Sequence, residues 1–348
     1  MYRAFTPRPS RRARGGPTAI VRLVCAVIVS ALACDAAPFT TKAELMSAVH
    51  SCLGYYNDVR SWAASNCCNS GAACGPAGFD EMDKWDVSQV TDMVGLFQNR
   101  APISADISAW DVSSVTDMRM MFSFTSSDTV QDILQDISED ISGWNVSQVT
   151  NMNNMFYGQK QFNGNLSSWN VGKVTDFGGM FRSCNAFNGD LSGWDVSQAT
   201  DMNLMFETAT VFNGDISDWD VSSVTKMNDM FLNAAAFNQD LSRWDVSSVT
   251  NMYRMFSNSG FDGADGAIVG NTWTTTQVTN AQYMFWGNTA WTAKHEIISG
   301  NVNNDGPPSR WGKKICPVNH YVKSNVCAPC PAGSTHPAGD DPTGVDTS

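Results

Sequence analysis

The sequence predicts an α/β repeat solenoid, a stack of about eight ~25-residue coils that each hold a short strand and a short helix. Tryptophan recurs at Trp85, Trp110, Trp144, Trp169, Trp194, Trp219, Trp244 and Trp273. Five of the seven steps are 25 residues; the steps of 34 and 29 are the same unit enlarged after Phe122 and after Phe256. Every one of these Trp is followed six residues later by Thr and twelve later by Phe, the fixed internal frame of tandem copies.

A regular copy reads LSGWDVSQATDMNLMFETATVFNGD from Leu191. In LSGWDV, Leu191, Trp194 and Val196 follow a turn-rich segment with short apolar alternation, so this half is expected as a strand. Beyond Thr200, a natural N-cap, Met202, Met205 and Phe206 fall at i, i+3 and i+4 and are expected on one face of a helical or 3₁₀ turn. Neither half buries its own apolar face, but coils at ~4.8 Å spacing let Trp, Val, Met and Phe columns share one core. Each buried Trp removes ~150–250 Å² from water, roughly 4–6 kcal/mol per coil as an upper bound. Met118, Met152, Met202, Met227 and Met252 form one inward column and Met121 to Met284 another, which reads as adaptable core filling rather than a metal or redox stripe.

Residues 1–37 read as a signal peptide: five Arg from Arg3 to Arg14 precede the apolar run Ala19–Ala33, with small residues at Ala31 and Ala33 for cleavage and a later site at Ala36 and Ala37. That run, interrupted by Arg22, is shorter than the ~20 residues of a membrane span, and no later segment is apolar enough, so no span is expected in the mature chain. The formal charge of the chain is −12; cleavage after Ala33 leaves 16 basic against 34 acidic residues. Such a balance repels phosphate and anionic membranes, which excludes nucleic acid as a partner. Cysteines cluster at Cys52, Cys67, Cys68 and Cys74 before the repeats and at Cys316, Cys327 and Cys330 after them, as disulfide candidates whose pairing the spacing does not fix. Cys184, where other copies carry a small residue, is expected as a buried thiol.

WDVSSVTDMRMMF from Trp110 and FNQDLSRWDVSSVTNMYRMF from Phe237 resemble the DUF285 repeats of BspA-like leucine-rich-repeat surface proteins. The resemblance covers about residues 85–290 and implies a leucine-rich-repeat-like solenoid, surface or secreted placement, and adhesion or protein binding without an assigned activity. The last copy departs from the pattern, and Asn271 to Trp291 is expected as a capping coil. TKAELMSAVHSCL from Thr41 resembles the helix that precedes such repeats in secreted algal or protist proteins. CPVNHYVKSNVCAPCPAG from Cys316 resembles the start of cysteine-rich modules of the tumour-necrosis-receptor or ephrin-receptor type, zinc at Cys327 and Cys330 being the rival use. The expected organisation is therefore signal peptide 1–37, cysteine-rich helical cap 38–84, repeats 85–292, linker 293–315 and partial cysteine-rich module 316–348.

No catalytic constellation is visible. His50, His295, His320 and His336 lie outside the well-formed repeats, no nucleophile elbow, metalloprotease helix or phosphate loop occurs, and the chain is expected to be neither an enzyme nor cofactor-dependent. Asp86, Asp111, Asp195, Asp220 and Asp245 form one column and Asp190, Asp215 and Asp240 help form a second, which raises weak Ca²⁺ binding. Asn145, Asn170 and Asn165 stand in for Asp in these columns, which favours local backbone capping. Asn145-Val-Ser147 and Asn165-Leu-Ser167 are N-glycosylation candidates, each within the expected strand or its entry. A partner, an unknown extracellular protein or alternatively a glycan, is expected where copies differ: Arg119 and Met120, Asn153 and Asn154, Asn203 and Leu204, Asn228 and Asp229, Tyr253 and Arg254. The acidic insertion from Ser123 to Glu139 is a further candidate loop.

Overall fold

The computed structural model describes residues 37–53, 76, 82–100, 106–125, 137, 139–263, 273–297, 306–308, 311–313, 320–323 and 326–329. Residues 1–36 of the expected signal segment, and Cys67, Cys68, Cys74, Cys316 and Cys330, lie outside the described residues.

Helix α1 spans Lys42–Leu53. Its entry is capped reciprocally: Thr41 Oγ1 accepts the Glu44 N–H at 3.2 Å, and the Glu44 carboxylate accepts the Thr40 N–H at 3.1 Å. Leu45 and Val49 are fully buried, the Phe39 ring lies 5.2 Å from Trp85, and Lys42 pairs with Asp92 at 3.2 Å. These contacts seat α1 on the first repeat, which a 3₁₀ turn at Met82–Lys84 leads into.

Within each repeat, positions are counted here from its Trp. Residues at +7 form parallel bridges from one unit to the next, unbroken from Asp92 to Asn280. Around each bridge the backbone donors alternate. Met202, Leu204, Phe206 and Thr208 donate to the carbonyls of Lys226, Asn228, Met230 and Leu232 in the next unit at 2.7–3.0 Å, while Met205, Glu207 and Ala209 donate three residues back within their own unit. This alternation requires left-handed backbone at +10 and +14, where φ is 60° at Leu204, 59° at Thr208, 58° at Asp229 and 59° at Asn233. Outside glycine such a conformation costs roughly 1–2 kcal/mol per residue, and the ladder bonds between units offset it.

Both halves of the repeat unit therefore differ from the expected elements. LSGWDV is a pair of turns rather than a strand: Trp194 N–H donates to Leu191 O and Ala199 N–H to Val196 O, and the Asp190 and Asp195 carboxylates accept the N–H of Ser192 and Ser197 at 3.0 and 3.1 Å. A short acidic side chain followed by Ser gives the backbone a local partner, so these residues turn instead of pairing. The Met–Phe segment is a run of turns rather than a helix. Thr200 is not an N-cap; its Oγ1 donates to Thr175 O at 3.1 Å, one rung of an exposed threonine ladder.

The core is one apolar cluster from Phe39 to Trp291. Each Trp from Trp110 to Trp273 donates its indole N–H at 2.8–3.1 Å to a carbonyl of the preceding unit, as Trp194 does to Leu166. Phenylalanines at +12 stack from Phe97 to Phe285 with centroids 5.5–5.8 Å apart, and a second column from Phe162 to Phe261 runs beside it at 6.0–6.2 Å. Every Met in the two inward columns is fully buried, as is Cys184, whose thiol points to Phe156 O at 3.0 Å. Helix α2, Thr289–Lys294, places Trp291 over Phe285 and Phe261 and so ends both columns. The stretch expected as a linker holds β1, His295–Ile297, paired antiparallel with β2, Trp311–Lys313. Beyond it β3, His320–Lys323, pairs with β4, Val326–Pro329, which carries Cys327 opposite Val322.

Replacing Trp194 by Phe keeps an aromatic ring but leaves the buried Leu166 carbonyl without its donor, so unfolding in urea should show a loss of about 2–4 kcal/mol. A loss below ~0.5 kcal/mol would mean that the indole bond between units contributes nothing beyond area.

Candidate functional site

The alternating backbone sorts the Met–Phe segment into pairs. Positions +8, +11, +12 and +15 point inward, and +9, +10, +13 and +14 lie on the outer side of the ladder. All the mid-turn residues singled out from sequence fall on this outer side, at +9 and +10. Most are half-buried; Arg119 is exposed and Asp229 buried.

Their charges are matched between neighbours. Arg254 Nε meets Asp229 at 2.7 Å, Lys226 meets Asp201 at 2.7 Å, Arg119 meets Asp117 at 2.8 Å, and Arg182 pairs with Glu207. Asn153 donates its amide to Asp176 at 3.2 Å. The hydrogen bond to Asp117 raises the Arg119 pKa, and that to Asp201 raises the Lys226 pKa. Two guanidinium groups also cover rings, Arg182 over Tyr157 and Arg254 over Tyr253, each at 4.8 Å.

Reading the sequence for its +9 and +10 variation missed the +13 position and the last unit. There the outer side carries Tyr283, 41% exposed, and Trp286, 53% exposed, with the Tyr253 and Tyr283 rings 6.0 Å apart and edge-on. The signal was available: Trp286 occupies the position held by Tyr157, Arg182 and Glu207 in earlier units.

The acidic columns sit on a different side. Their Oδ1 atoms accept from the residue two positions on, at 2.8–3.2 Å wherever the acceptor is Asp or its Asn replacement, including Asn145, Asn165 and Asn170. These bonds hold carboxyls below their ordinary pKa. The serine hydroxyl contributes most at Asp106, Asp111, Asp140, Asp220 and Asp245, and the serine N–H at Asp190 and Asp215. Repulsion from the neighbouring column member is the weakest contribution at Asp215 and Asp220. Among the described residues no group of three or more His, Cys, Asp or Glu is placed to hold a metal ion.

Asn145 and Asn165 are both exposed and lie in these turns rather than in paired strands. The described histidines do not converge: His50 is in the last turn of α1, His295 is buried against Trp291 and His320 begins β3. No described helix is long and apolar enough to cross a membrane.

A register of 25 residues repeated through bridges, indole bonds and ring columns defines a tandem-repeat protein. Residues 72–133, 124–222 and 192–298 match the family described as Mycoplasma protein of unknown function, DUF285, and the chain belongs to that family. No curated protein and no solved structure matches it.

Because Asp106, Asp111, Asp140, Asp190, Asp215, Asp220 and Asp245 titrate lower in the folded chain than the ~3.9 of an unfolded Asp, their contribution is complete above that value and is lost as pH falls through the folded pKa. The melting temperature should therefore drop as pH falls below about 4, and millimolar Ca²⁺ at pH 7 should leave it unchanged. Asp220→Asn, which retains an acceptor, should blunt the acid response without lowering stability at pH 7; a rise in melting temperature on acidification would contradict the whole assignment.

Proposed function

We propose that this protein is a non-enzymatic, secreted or cell-surface scaffold of solenoid shape, related to leucine-rich-repeat surface proteins, that binds an extracellular partner through the outer side of its ladder. The observation that carries the reading is a division of labour. The apolar residues that recur between units are buried, whereas the outer positions differ from unit to unit and carry the exposed rings of Tyr283 and Trp286.

Export is supported by the basic and then apolar residues 1–37 and by Cys52, which is buried on α1 and takes part in a disulfide bond. Cys67, Cys68 and Cys74 are the nearby candidates for pairing, and Cys316, Cys327 and Cys330 form the second cluster. Exposure of Asn145 and Asn165 leaves room for N-linked glycans on the acidic-column side, away from the binding side.

Expressed in a eukaryotic secretory host, the full chain should appear in the medium with its N-terminus at Cys34 or Pro38. Intracellular retention with Met1 intact would refute export. The secreted chain, immobilised and challenged with extracellular proteins, should capture a partner whose binding is lost when outer residues such as Arg119 and Tyr253 are replaced by Ala.

A further inference from the structure

The outer side is not chemically uniform. Toward its C-terminal end, Tyr253, Tyr283 and Trp286 gather on consecutive units, bordered by Gln282, Asn233 and Asn258. Trp286, 53% exposed, is the most exposed of the large apolar side chains among the described residues, whereas the eight tryptophans that lead the units and Trp291 are 0–4% exposed. Rings facing water carry a polarisable face and a polar rim, and exposed apolar surface bounded by polar groups marks a contact site.

We propose that this aromatic end is a binding site for a neutral glycan, with Trp286 stacking on one sugar ring and Tyr283 and Tyr253 flanking the next. The inference rests on the binding role proposed for the outer side and names its ligand class. Three features support it. The Gln282 amide, and the remaining donors and acceptors of the Asn258 and Asn233 amides, which bond to each other at 3.2 Å, are suited to hydroxyl groups. Tyr253 and Tyr283 stand on adjacent units with their rings 6.0 Å apart, about the width of one pyranose, and Trp286 lies three residues beyond Tyr283 on the same unit, so one sugar can meet the tyrosine pair and its neighbour the indole. Charge selects against acidic glycans: the cation closest to the rings, Arg254, is already matched by Asp229 at 2.7 Å, and the chain carries a formal charge of −12.

Cellohexaose, laminarihexaose, chitohexaose and a heparin hexasaccharide would each be titrated into the full-length protein, with tryptophan fluorescence and affinity electrophoresis as readouts. At least one of the three neutral hexasaccharides should bind saturably and perturb the emission, while the heparin fragment should not. Trp286→Ala should weaken binding ten- to thirty-fold or more, as loss of a central aromatic anchor does, Trp286→Phe should weaken it less, and neither should shift the melting temperature by more than about 2 °C. Absence of neutral-glycan binding at millimolar concentration, binding confined to the heparin fragment, or equal binding by Trp286→Ala would each overturn the proposal. A protein that is exported and captures a protein partner yet ignores all four probes would sink this inference alone, whereas retention inside the cell would sink the reading it rests on.

Discussion

In each unit but the last, four of the seven N–H groups from +8 to +14 point at acceptors that only the next unit supplies. A single unit would leave those donors in water and expose its Trp, Met and Phe residues as well. Buried backbone groups must be paired, so the bridges, the indole bonds and the ring columns form together or not at all. Stability in this chain belongs to interfaces between units, in the manner of nearest-neighbour repeat arrays. The end units need special cover, which α1 with Phe39 gives at one end and α2 with Trp291 at the other.

The same constraint explains where chemistry can vary. Positions +10 and +14 hold positive φ in every unit except at Phe124, and the ladder tolerates this for Gly, Asn, Asp, Ser, Thr and even Met120, Leu204, Arg254 and Tyr283. Inward positions have no such latitude because each faces its own copy one unit away. Polar positions of the turns are constrained differently: they need a side-chain acceptor, which Asp and Asn provide equally, and so the columns become acidic without any requirement for charge. At Asp215 and Asp220 the hydrogen bonds from Ser lower the carboxyl pKa despite the neighbouring carboxylate.

Much of this frame was legible in the sequence. The period, both enlarged units, the inward Trp, Met and Phe columns and the outward +9 and +10 residues follow from spacing alone. The local conformations did not follow, for a definable reason. Inward residues at +8, +11, +12 and +15 reproduce the i, i+3, i+4, i+7 pattern of a helix face, although the backbone here alternates with a period of four and never closes a helical turn. Only the Trp85 and Trp144 units carry Gly or Asn at both +10 and +14, as Gly95 with Asn99 and Asn154 with Gly158, too few to mark the left-handed positions from spacing. Trp286 was passed over because the last unit was read only as a degenerate cap.

The enlarged units show how such a frame accepts insertions. At +15 the regular units place Cys184, Ala209 or Ala234, buried residues with little to offer an interrupted neighbour. Directly after each enlarged unit the residue at +15 is instead a buried amide. Gln159 donates to Phe122 O at 2.6 Å and accepts the Ile137 N–H at 2.8 Å, closing both stems of the first insertion. Asn288 donates to Phe256 O and Phe261 O ahead of the second and caps α2 through the Trp291 N–H. Cys184 directs its thiol to the equivalent carbonyl of an uninterrupted unit. An insertion removes backbone partners that a side chain must then replace, and an amide supplies a donor and an acceptor from one position, with more reach than the Ser259 hydroxyl, which also serves as both. The glutamine is therefore coupled to the insertion upstream of it: deleting that insertion would take away the Ile137 N–H and leave Gln159 Oε1 buried without this donor, while the bond to Phe122 O belongs to the frame.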